Sequence, residues 1–201
     1  MNYAEFKTLL LAYSKRADDE SLVAIIDNMV ELASVRIGRD VDLMELERIA
    51  SFDLDNNFIG LPKDYMKMRG VWVDRPHSKV TLEYMTPNQY EDAQATISGN
   101  HGAFYYTIMN GQIHVGPGIN TINMNYIVKP KTLIEDQDTN YVLTSWPNLY
   151  LYGALIEVWT YLLDMEPLTI AKAQYNEEVK YCNRQAAIAR ASGGPIVMRG
   201  P

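Results

Sequence analysis

The alternation of apolar and polar positions divides the chain into three stretches of different texture. Asn2 and Glu5 have the spacing of a capping box, and Phe6, Leu9, Leu10 and Tyr13 follow with helical periodicity. This predicts a short first helix ending near Lys15. After the charged run Arg16-Ala-Asp-Asp-Glu, the residues Leu22, Ile25, Ile26, Met29, Val30, Ala33 and Ile37 form one apolar stripe, with Asp27, Glu31 and Arg36 off it. A second, longer helix is expected, broken or kinked at Gly38-Arg-Asp. A further helical piece over residues 41–48 would set Leu43, Met44 and Leu46 against the others.

Near Ile49 the period shortens. Over residues 50–131 the pattern predicts strands and turns, with one brief helix after Thr86-Pro87. Strands are expected at 68–73 and 79–84, and Asn56-Asn57 marks a turn. Asn110-Gly111, flanked by strand-like runs at 104–109 and 112–115, is the strongest local signal and predicts a type I′ hairpin. Residues 121–128 alternate Ile122, Met124, Tyr126 and Val128 and predict a third strand following the two of the hairpin.

Beyond the polar link at 135–140 the helical period returns. Pro147 suits a first turn, with Ser145 as its cap, and residues 149–163 are apolar on nearly every side, which predicts a central helix. In that helix Leu149, Tyr152, Ile156, Trp159 and Leu163 are expected in the bundle core or at a subunit contact. The last helix, from about 168 to 190, repeats Leu168, Ala171, Tyr175, Val179, Cys182, Ala186 and Ala189 at steps of three and four. Tyr175, Val179 and Cys182 are expected in the same packing. The expected architecture is α+β: a helical bundle from residues 1–49 and 132–190, an inserted small antiparallel β region over 50–131, and a tail over 191–201.

At 201 residues, 47% of them hydrophobic and 21% charged, the chain can bury about 70% of its unfolded surface in one domain with an insertion. One cysteine excludes an internal disulfide framework and a multi-cysteine metal site. The amino terminus lacks the basic start and apolar core of a signal peptide, and the apolar run at 149–163 is too short for a membrane span. A cytoplasmic site of synthesis, with no membrane partner, is therefore expected. The net charge of -7 argues against general nucleic-acid binding, but it is unevenly spread. Residues 167–201 carry Lys172, Lys180, Arg184, Arg190 and Arg199 against Glu177 and Glu178, a local +3 that leaves the remainder at -10.

Signs of catalytic or metal chemistry are weak. His77, His101 and His114 lack any ligand spacing, and no histidine accompanies Cys182 in the last 87 residues. Asp53, Asp55 and Asn57 match the first ligands of a calcium loop, with Asp64 at position 12, but Phe58 stands where the loop needs glycine. The run Asp136-Gln-Asp138-Thr-Asn140 fails similarly, with Tyr141 at position 6. Both read as polar turns. Gly116-Pro-Gly118 lacks the lysine of a phosphate loop. No catalytic residue, metal site or cofactor is expected, and the chain is read as a non-enzyme.

The segment Leu143-Thr-Ser-Trp-Pro-Asn-Leu-Tyr-Leu-Tyr-Gly-Ala-Leu-Ile-Glu resembles one found in the head-to-tail connector, or adaptor, proteins of tailed bacteriophages. There a Thr-Asn-x-Pro-Asp-Leu-Tyr-Leu-Tyr-Gly-Ala-Leu type of run opens the penultimate long helix. Ser145 stands here for the Asn and Asn148 for the Asp. Tyr3-Ala-Glu-Phe-Lys, Leu61-Pro-Lys-Asp-Tyr-Met-Lys-Met-Arg69, Leu82-Glu-Tyr-Met-Thr-Pro87 and Tyr126-Ile-Val-Lys-Pro130 follow the same family pattern in the same order.

The resemblance implies a structural ring, usually of twelve copies, that joins the portal to the tail or tail nozzle at the head–tail junction of the virion. Double-stranded DNA would pass through its channel without sequence-specific binding, and the ring would act in head completion and genome ejection after assembly in the host cytoplasm. It also implies a C-terminal segment that docks on the portal, making Arg184, Arg190 and Arg199 the docking candidates. The alternatives are another neck or tail-terminator ring protein, or a helical protein-interaction module.

Overall fold

The computed structural model describes residues 1–96 and 104–192. The Gly99–Gly102 loop with His101, and the end of the chain with Gly193, Gly194, Pro195 and Arg199, lie outside the described residues. Among the described residues are six α-helices and eight strands, an α+β composition. They divide into two compact units: Glu47–Val128, and a helical unit made of Met1–Leu46 with the described residues from Lys129 on.

The helical unit begins with α1 (Tyr3–Ser14), whose N-terminus is the predicted capping box. Asn2 Oδ1 accepts from Glu5 N at 2.9 Å, and Glu5 Oε2 accepts from Asn2 N at 3.0 Å. Lys15 ends the helix in the left-handed conformation, φ 52°. Helix α2 (Glu20–Asp40) starts on the Asp19 side chain, which accepts from Ser21 N and Leu22 N. It runs through Gly38 to Asp40 without the expected break.

The helix expected over 41–48 does not form. Val41 caps α2 in an extended conformation, one 3₁₀ turn covers Met44–Leu46, and the chain enters a strand at Glu47. Leu43 and Leu46 are still buried, so the apolar spacing was real but served a tighter turn.

Helix α4 (Tyr141–Ser145) is capped by Asn140, whose Oδ1 accepts from Leu143 N at 2.8 Å while its Nδ2 donates to Lys131 O at 2.9 Å. Ser145 is the last residue of that helix and does not cap the next. Helix α5 (Pro147–Tyr161) starts at Trp146 with no side-chain cap and with Pro147 in its first turn. It packs on α1, α2, α4 and α6, which explains its nearly all-round apolar sequence.

Leu149 and Ile156 are fully buried; Tyr152 and Trp159 are half-buried. Leu163 lies beyond the helix at φ 55° and is 84% exposed, so it is not part of the bundle core. Helix α6 (Met165–Ser192) buries Leu168, Ala171, Tyr175, Cys182 and Ala186 on one stripe, with Val179 half-buried beside it and Ala189 exposed at its end.

Gly153 of α5 permits the close approach of three helices. A Cβ there would lie 3.3 Å from Tyr175 Cε2, 3.6 Å from Ile37 Cδ1 and 3.7 Å from Ala33 Cβ. Glu157, the one charge of α5, accepts from Arg36 of α2 through both Nε, at 3.0 Å, and Nη2.

The second unit holds two four-stranded sheets. One has the order β1 (Glu47–Asp53), β8 (Thr121–Val128), β3 (Tyr65–Arg75), β4 (Ser78–Thr81) and is antiparallel throughout. The other is ordered β2 (Phe58–Gly60), β7 (Gln112–Val115), β6 (Tyr105–Met109), β5 (Glu83–Tyr84). Both contribute to one core in which Val71, Ile122 and Met124 from the first sheet meet Ile113, Val115 and Tyr106 from the second. Strands β6 and β7 form the predicted hairpin, with Asn110 at φ 53° and Gly111 at φ 71°.

One pair departs from the antiparallel expectation: β5 and β6 run parallel. The reason is topological, because α3 (Pro87–Thr96) lies between them in the chain and a helix-containing crossover returns the strand in the same direction.

Candidate docking groove on the helical unit

A groove of about 730 Å³ opens on the helical unit where three chain segments meet. Leu43, Met44 and Glu45 of the 3₁₀ turn form one part of its lining, and Ser145, Trp146, Pro147 and Asn148 at the α4–α5 junction form another. The third is the C-terminal half of α6, where Tyr181, Gln185 and Ala189 recur at steps of four beside Glu177, Glu178 and Ala186. Each segment is held by specific local chemistry.

Asn183 fixes the turn to α6. Its Oδ1 accepts from Asp42 N at 2.8 Å and its Nδ2 donates to Asp40 O at 3.0 Å, so one amide satisfies the end of α2. Tyr175 Oη donates to Asp40 Oδ2 at 2.9 Å one helix stretch earlier. Burial, and then the Asp40 charge, pushes that phenol far above the ordinary tyrosine range. The α4–α5 junction is held by the Trp146 ring, which meets Tyr181 edge-on at 5.9 Å between centroids.

The groove combines apolar and acidic surface. Tyr181 is 54% exposed and Met44 41%, so both present contact area to solvent. Glu177 and Glu178 make no ion pair or hydrogen bond with any described residue. Glu45 bonds the Tyr141 hydroxyl, which burial first and Glu45 second push above its usual value. The Trp146 indole N–H is buried without a well-formed hydrogen bond, with the Tyr141 hydroxyl as its electrostatic neighbour.

The three arginines expected to dock on the portal have different situations. Arg184 is exposed on α6 and contacts no polar group among the described residues. Arg190 donates from Nη2 to Asp42 O at 2.7 Å, so it ties α6 to the turn after α2. Arg199 lies outside the described residues. Asn183 carried no sequence signal, since a polar residue beside an apolar stripe is ordinary until a helix end is brought against it.

Cys182 is fully buried, and burial followed by the Glu178 charge pushes its thiol up to about 12, which makes it a poor nucleophile. His114 stacks on Phe58 at 5.4 Å, and burial lowers its pKa; His77 is exposed in the turn between β3 and β4. Asn56 and Asn57, at φ 50° and 67°, form a two-residue turn between Asp55 and Phe58, while Asp53 accepts from Thr121 Oγ1 at 2.9 Å. In the link before α4, Asp138 accepts from Lys131 Nζ at 2.8 Å and from Ile134 N and Glu135 N at 3.0 Å each. Among the described residues no group of three or more His, Cys, Asp or Glu could hold a metal ion, and no helix is long and apolar enough to cross a membrane.

The described residues thus form a helical unit with a groove of mixed apolar and acidic surface, joined in sequence to a small two-sheet unit. A family model described as SU10 adaptor protein matches residues 1–199, and the chain belongs to that family. It is thus a phage adaptor, a structural component of the virion that interacts with other phage structural proteins. No curated protein matches the chain significantly.

Proposed function

We propose that this adaptor is the repeating subunit of a ring, of about twelve copies, that joins the phage portal to the tail or its nozzle and surrounds the channel for DNA. The observation that carries the reading is the family match along residues 1–199, together with the resemblance of the Leu143–Glu157 segment, which here forms α4 and the buried α5. The assembly site is the host cytoplasm and the final position is the head–tail junction.

Two surface features support assembly. Around the α5–α6 turn, Tyr161, Leu163, Met165 and Ile170 are 46%, 84%, 68% and 59% exposed, apolar side chains that a neighbouring subunit would cover. A ring needs two different complementary faces on each copy, and this apolar turn is the candidate for one of them. Arg184 with the terminal segment is the candidate portal contact, paired with an acidic surface on the portal.

Electron microscopy of the protein mixed with portal is the test. A stacked ring of about twelve subunits is expected, and deletion of residues 191–201 should leave the fold intact and weaken the association. Rings that form on a tail protein and never on portal would instead favour a tail-terminator role.

A further inference from the structure

We propose that the groove between the 3₁₀ turn, the α4–α5 junction and α6 is the docking site for this chain's own C-terminal segment, residues 196–199, folded back along α6 in the same molecule. The inference does not depend on the ring reading.

Charge and polarity are complementary. The groove offers Tyr181, Met44 and the Trp146–Pro147 corner as apolar surface, with Glu178 and Glu177 at one end. Neither carboxylate has a partner among the described residues. The segment beyond Ser192 reads Gly193-Gly-Pro-Ile-Val-Met-Arg-Gly-Pro201: three apolar side chains followed by one cation. Buried against the groove, the apolar residues would cover the exposed tyrosine and methionine, while Arg199 would supply the missing counter-charge and stack on Tyr181.

Length and direction fit as well. Gly-Gly-Pro directly after a helix is a stop and reversal signal, since glycine accepts the left-handed C′ conformation and proline cannot continue the helix. With residues 193–195 spent on the reversal, residues 196–198 extend about 10 Å back along the helix. Gln185 lies seven residues before Ser192, also about 10 Å at the helical rise, so Met198 falls opposite Gln185. Arg199 then stands about 13 Å back, and Glu178 is about 21 Å from Ser192, a gap of the order of an arginine side chain pointing along the groove. A tether this short holds the segment at an effective concentration on the order of mM, so the site fills from the same chain before a second copy competes. In the free protein the segment would thus be stored on α6 and handed over when a stronger partner arrives.

The test is disulfide trapping in the full chain. Gln185→Cys with Met198→Cys, oxidised at low micromolar concentration and mapped by mass spectrometry, should give an intrachain bond. The yield should exceed by about tenfold that of a Val23→Cys, Met198→Cys control, because Val23 is exposed on α2 about 27 Å from the start of the turn. Adding Glu177→Lys and Glu178→Lys, both on the surface of α6, should lower the yield several-fold with unchanged circular dichroism. Yields equal to the control, bonds only between chains, or indifference to the charge reversal would each overturn the proposal.

Discussion

Asp138 shows how much a single side chain can organise in a stretch with no regular structure. Its carboxylate holds Lys131 and the amides of Ile134 and Glu135, fixing the link that leads into the Asn140 cap. These donors, the Lys131 bond foremost, hold its carboxyl well below the usual range. A carboxyl depressed by folding stabilises fully above its unfolded pKa of about 3.9 and loses that contribution as the pH falls below it. Urea midpoints should therefore drop between pH 5 and pH 2.5 more steeply in the native chain than in Asp138→Asn, which is already weakened at pH 7. Parallel pH profiles would count against this role.

Other residue-scale features divide by whether their partners are local. The Asn2–Glu5 capping box and the positive φ of Asn110 and Gly111 were readable, because each is a local contest of backbone conformations. Asn183, Arg36 with Glu157, and Arg190 were not, because their partners lie more than a hundred residues away in the chain.

Among the elements, the buried helix α5 was legible from its composition, and its most constrained position is Gly153. The nearest atom to a new Cβ belongs to Tyr175, whose hydroxyl is anchored on Asp40, so the ring cannot simply swing away. Helix propensity would favour leucine over this glycine by up to about 1 kcal/mol. Gly153→Leu should nevertheless cost about 1–3 kcal/mol through overpacking, measured by chemical denaturation. A stability equal to or above that of the native chain would show that the three helices can part freely.

Three features differ from what the local pattern predicts. Residues 41–48 have helical spacing, yet Glu47 pairs with Ile127 and draws the chain into β1, so strand pairing overrides the local period. Leu163 continues the apolar run of α5 but sits past its end in a left-handed turn. The parallel pairing of β5 with β6 follows from a helix between them, and no property of either strand announces it.

For the whole molecule, the uneven charge bears on the proposed ring. A chain at -7, with its acidic excess concentrated before residue 167, should adhere poorly to DNA. If the ring surrounds the DNA channel, lysine in place of the carboxylates that face the channel should slow ejection, an effect that added salt reduces. Unchanged ejection kinetics in such a variant would remove the electrostatic argument.

Taken alone, the sequence determined the α+β composition, most helices, the hairpin at Asn110-Gly111 and the family, because periodicity, turn chemistry and a collinear set of motifs are all written locally. The tertiary structure decided where strands displaced helical spacing, which charges pair, and that Glu177, Glu178, Tyr181 and Trp146 border one groove. Those outcomes depend on segments distant in the chain meeting in space, and no window of neighbouring residues contains both partners.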